Sequence, residues 1–104
     1  MNYFQKKNEK FADALINEGT AYYFIAKNGI NTQKNLEKAM LIFQSSRKIV
    51  SHGRQLFSSA LINEACTRNS LADIGIESQQ NLEEVIKLYK EVQGIFPKGS
   101  ADYA

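Results

Sequence analysis

Few side chains in this 104-residue chain are of a kind that does chemistry, and none stands in a pattern that a reaction requires. The single histidine, His52, adjoins Gly53, with no base-and-nucleophile spacing around it, and reads as a solvated loop residue rather than a general base. The single cysteine, Cys66, has no second thiol to bridge and no neighbouring motif that would depress its pKa, so it reads as a small buried side chain. Two carboxylate pairs, Glu18 with Glu64 and Glu37 with Glu83, each share a spacing of 46 residues. Paired carboxylates can divide acid and base work, but duplication of a sequence unit makes the same pairs with no chemistry attached. No glycine loop suits a phosphate, and no spacing suits a metal. We therefore expect no catalytic residue, no cofactor site, no metal site and no enzyme activity.

Composition narrows the partners. Net charge is +2 with the signs interspersed, which gives no polyphosphate attraction beyond that of any mildly basic protein. Lys6-Lys7 and Arg47-Lys48 read as solvated helix faces, because no nucleic-acid motif accompanies them. No apolar run reaches membrane-spanning length, and no apolar segment follows the lysines near the N-terminus. One unpaired cysteine fits a reducing compartment. The expectations are one domain, no nucleic acid, no membrane and a cytoplasmic location.

A repeat organises the chain. Residues 11–50 return without a gap as residues 57–96, an offset of 46. Phe11, Leu15, Ile16, Asn17 and Glu18 recur as Phe57, Leu61, Ile62, Asn63 and Glu64; Gly29-Ile30 and Asn35-Leu36-Glu37 recur as Gly75-Ile76 and Asn81-Leu82-Glu83. A period of this size signals stacked supersecondary units. We place unit 1 at about 8–52 and unit 2 at about 54–97, with 1–7 and 98–104 as partial flanking elements.

Each unit reads as two helices. In the first, Phe11, Leu15, Gly19, Tyr22, Ile25 and Ala26 fall at steps of three and four, from about Asn8 to Asn28. Glu64 and Arg68 form a favourably oriented i,i+4 pair in the copy. Gly-Ile ends each first helix, the glycine taking a left-handed turn and the isoleucine packing inward. Asn35 and Asn81 are expected to cap the second helices, with Thr32 or Ser78 as earlier alternatives. Leu36, Ala39/Met40, Phe43, Ser46 and Val50 make the second stripe, matched by Leu82, Val85/Ile86, Tyr89, Val92 and Phe96. Helix-breaking residues follow at Ser51-His52-Gly53 and at Pro97-Lys98-Gly99. No β-hairpin signal is present. Leu36, Phe43, Leu82 and Tyr89 should all face neighbouring helices.

The small residue in the first helix and the small-aromatic-small ladder in the second resemble a tetratricopeptide repeat. Gly19 and Tyr22, with Ala39, Phe43, Ser46 and Ser51, carry the pattern in unit 1. Ala65 and Arg68, with Val85, Tyr89, Val92 and Pro97, carry it in unit 2. Arg68 replaces the family's aromatic, Val85 and Val92 its small residues, and the period is longer than the usual 34. Sel1-like repeats are the nearest rival. The resemblance implies an all-α fold of two antiparallel helix-turn-helix repeats, four main helices stacked as a short TPR-like α-solenoid.

It also implies a concave face lined by the first helices. That face would carry Asp13, Ile16, Asn17, Thr20, Tyr23 and Phe24, with Ser59, Ile62, Asn63, Cys66, Asn69 and Ser70 from the copy. Asn17 and Asn63 stand out, because an amide both donates and accepts and so suits a peptide backbone or a carboxylate. Ile16 with Tyr23 and Phe24 would make an apolar patch for a side chain or a partner helix. Two functions follow as expectations. One is a non-catalytic scaffold that binds a protein or peptide. The other is a structural unit that self-associates through uncapped ends, Tyr3-Phe4 resembling the tail of an earlier second helix and residues 100–104 the start of a further first helix.

Overall fold

Gly29 and Gly75 stop two helices in the same manner. The computed structural model describes residues 3–50 and 55–96, which form α1 (Tyr3–Lys27), α2 (Thr32–Ile49), α3 (Gln55–Asp73) and α4 (Ser78–Ile95), with no strand among them. Both glycines hold positive φ, 82° and 83°, which costs a residue without Cβ nothing. The Gly29 N–H donates to the Ala26 carbonyl and the Ile30 N–H to that of Ile25; Gly75 and Ile76 repeat this with Ala72 and Leu71. These paired bonds satisfy the last carbonyls of α1 and α3 in a Schellman motif.

The helices that follow begin at Thr32 and Ser78, so Asn35 and Asn81 are not their caps. Both asparagines are buried in the first turn instead. Their Nδ2 groups donate to the Ile30 and Ile76 carbonyls at 2.8 and 2.9 Å. The Thr32 and Ser78 hydroxyls donate back to the Ala26 and Ala72 carbonyls at 3.3 and 2.9 Å. Each bridge is thereby tied to the end of its first helix, which holds the hairpin rigid where a loop would let it flex.

The hairpins are antiparallel. Ala12 meets Ser46, whose hydroxyl donates to the Ala12 carbonyl, and Ala26 meets Leu36. The second hairpin stacks through α2 on α3: Leu36 with Leu71 at one end, Val50 with Phe57 at the other. α3 also touches α1, so α2 lies in the notch between the two first helices, while α4 packs on α3. The core runs along this notch. Of the α2 stripe, Leu36, Ala39, Phe43 and Ser46 are buried, as is Val50 just past the helix end, while Met40 is half-buried.

The outer helices differ from the sequence expectation. α1 runs back to Tyr3, so residues 3–7 extend that helix rather than form a separate element. Its buried positions are Ala12, Ile16, Gly19 and Ala26, whereas Phe11 and Ile25 are exposed. On α4 the buried positions are Asn81, Val85 and Leu88; Leu82 does not face a neighbouring helix, and Tyr89 is half-buried. Ile76 packs inward but Ile30 does not. The cause is common: a stripe is covered only where another hairpin stacks on it, and each outer helix has its hairpin on one side alone. His52, Pro97 and the helix expected over 100–104 lie outside the described residues.

Candidate partner-binding groove

Gly19 sets the geometry of the face between α1 and α3. The Phe43 ring of α2 presses on it so closely that a Cβ at position 19 would lie 2.7 Å from the ring's Cε1. Phe43 therefore reaches the floor of a pocket of about 130 Å³ between the first helices, walled by Thr20, Tyr23 and Phe24 of α1 and by Asn63 and Cys66 of α3. These five wall residues were all expected on the concave face. Phe43 was not, since it belongs to a second helix; the small residue opposite an aromatic was the available signal.

The walls are mostly apolar with a few polar edges. The Tyr23 and Phe24 rings stand edge to face, 5.9 Å apart and inclined by 72°. The Thr20 hydroxyl donates to the Ile16 carbonyl at 2.8 Å, which leaves it as an acceptor toward the pocket. Among the described residues no hydrogen bond occupies the Asn63 amide, in contrast to Asn35 and Asn81. The Cys66 sulfur lies 3.9 Å from the Tyr89 hydroxyl of α4. Burial, and then the adjacent Cys66, raise the Tyr89 pKa above its ordinary value. At the rim Lys27 Nζ sits 5.5 Å from the centre of the Tyr23 ring and donates to Ser70 Oγ at 3.3 Å, so one cation overlooks the mouth.

The remaining expected residues are dispersed. Asp13 and Asn17 are exposed on α1 and do not line the pocket, so the two repeat-related asparagines have different surroundings. Ser59 and Asn69 are half-buried on α3, outside the pocket wall; Ile16 and Ser70 are buried, and Ile62 is exposed.

A second polar constellation escaped sequence reading. Glu64 is wholly buried between α2 and α3. Arg68 Nε donates to its Oε2 at 3.0 Å and Gln44 Nε2 to the same oxygen at 3.1 Å, while Arg47 Nε lies 3.0 Å from Oε1. Arg68 Nη1 also donates to Asn81 Oδ1 at 2.8 Å, which ties the network to the second bridge. The expected i,i+4 pair is one link of this larger lock. Its charges are balanced within the network, and Glu64 is wholly buried, which makes it structural rather than receptive.

Among the described residues no three His, Cys, Asp or Glu side chains converge as metal ligands. No described helix is long and apolar enough to cross a membrane. No protein-family model, no curated protein and no solved structure matches the chain.

Proposed function

We propose that the chain is a non-catalytic scaffold that binds a protein or peptide along the face between α1 and α3, as a short tetratricopeptide-like repeat acting in the cytoplasm. The pocket of about 130 Å³ supports this reading most directly. Pockets for small molecules and cofactors hold roughly 300–1,000 Å³; this one has room for a single apolar side chain. Phe24, exposed at its edge, offers a ring to pack on that anchor. Asn63 offers a donor and an acceptor to the backbone carrying it, and Lys27 favours a carboxylate nearby. The helical walls are held by the buried bridges and the Glu64 network, so little ordering would be required on binding.

The test is selection of a displayed random peptide library on the full chain. Selected peptides should share one apolar anchor with an acidic residue near it. Their binding should be lost in Phe24→Ala and weakened in Asn63→Ala, with helicity by circular dichroism unchanged. Peptides without a shared anchor, or binding indifferent to both substitutions, would refute the groove.

A further inference from the structure

The repeat makes it possible to ask of each exposed residue what its copy touches. Phe11 is 58% exposed and Phe57 only 2%; Ile25 is 37% exposed and its copy Leu71 1%. Glu18 is exposed, while Glu64 is wholly buried. In each case α2 or Val50 at its end packs on the copy on α3, and no described element covers the original on α1. The converse holds on α4. Leu36, 1% exposed, packs with Leu71; its copy Leu82 is 46% exposed, and Ile86, the copy of half-buried Met40, is 56% exposed. The molecule therefore carries both halves of one interface, unpaired, on its two outer helices.

We propose that the chain associates with itself head to tail, the outer face of α4 in one copy docking on the outer face of α1 in the next, as α2 docks on α3 within each copy. Matching by register brings Leu82 to Ile25, Ile86 to Ile30 and Phe96 to Phe11. Charge agrees with this occupant. Within the chain, Gln44 and Arg47 address Glu64. Their copies on α4 are Lys90 and Gln93, both exposed, and the copy position on α1 is Glu18, also exposed and with no ion pair among the described residues. Lys90 of one molecule thus meets Glu18 of the next. Such an interface joins two different faces, so it propagates unless the rotation closes a ring. The inference does not depend on the groove between α1 and α3.

Sedimentation velocity of the full chain over a concentration series tests it. The weight-average mass should rise above the 11.8 kDa monomer as concentration increases. Phe11→Asp damages only the α1 face and Ile86→Asp only the α4 face, so each variant alone should stay monomeric. An equimolar mixture retains one good α4 face and one good α1 face and should give a dimer that grows no further. Glu18→Lys should weaken assembly about tenfold, and Glu18→Lys with Lys90→Glu should restore it. This charge exchange serves as the deciding arm if circular dichroism shows that an aspartate variant has unfolded. A wild-type chain that remains monomeric throughout, a mixture of folded variants that does not dimerise while wild type assembles, or a double charge variant no better than the single one would overturn the proposal.

Discussion

Arg47 Nε lies 3.0 Å from Glu64 Oε1, yet no hydrogen bond forms between them, because the N–H is not aimed along that line. The contact is one of charge, and Glu64 draws its directed bonds from Arg68 and Gln44 instead. Removing both arginines would leave a carboxylate buried and unpaired by charge. Arg47→Met with Arg68→Met should therefore cost about 3–5 kcal/mol, read from urea denaturation. Adding Glu64→Leu removes the stranded charge and should recover most of that loss, since buried ion networks replaced by apolar groups of similar volume are often neutral. A triple variant as unstable as the double would mean that the network contributes through shape rather than charge.

The contact between Gly19 and Phe43 makes a second prediction. A methyl group at position 19 must displace the ring, so Gly19→Ala should destabilise by about 1–3 kcal/mol. Phe43→Leu in the same chain should relieve part of that cost, and a double-mutant cycle would measure the coupling. Gly94 is the control. It is helical and exposed, with no heavy atom near its absent Cβ, so Gly94→Ala should stabilise by roughly 0.5–1 kcal/mol.

Periodicity revealed where apolar faces lie, but not whether anything covers them. On α2 the stripe from Leu36 to Val50 was legible in full, because α1 and α3 enclose it. On α1 and α4 the same kind of signal marked Phe11, Ile25 and Leu82, which stacking leaves uncovered. The asparagines of the bridges were legible as conserved between units but not as to role. An amide before an apolar helix caps amides in one geometry and binds carbonyls in another, and the left-handed residues Asn31 and Glu77 select the second. The walls of the groove, Asn63 and Cys66 among them, lie at inner-face positions of the first helices, whereas the floor was not legible, since Phe43 belongs to a second helix. Arg47 reads in the sequence as part of a solvated helix face, whereas it is half-buried beside Glu64. No local signal marked Glu64 as buried, since the identical run Leu15-Ile16-Asn17-Glu18 leaves its glutamate exposed.

Glu77 holds φ of 46° at the start of α4, in a region that disfavours a residue with a Cβ. No side-chain cap bond compensates it. Its copy is Asn31, a residue type that visits this region more readily. Glu77→Gly should therefore raise stability by up to about 1 kcal/mol, visible as a higher thermal midpoint. Asn31→Gly should gain less. Equal gains at both sites would show that the asparagine side chain confers no advantage there.

Tyr89 gives the fold a dependence on alkaline pH. Its hydroxyl is partly buried beside Cys66, and its pKa is raised above the ordinary tyrosine value. The folded protein thus keeps this proton at pH values where the unfolded chain has begun to lose it. In that window the unfolded state binds fewer protons, so unfolding becomes easier as pH rises. The contribution is complete below the unfolded pKa, near 10, and is lost as pH climbs through the raised folded value. Tyr89→Phe has no proton to lose and should flatten this part of the stability profile. Comparing urea midpoints of the two proteins across the alkaline range isolates the effect from lysine titration, which they share. Parallel profiles would mean that the Tyr89 hydroxyl sits in water after all and that the contact with Cys66 is not maintained.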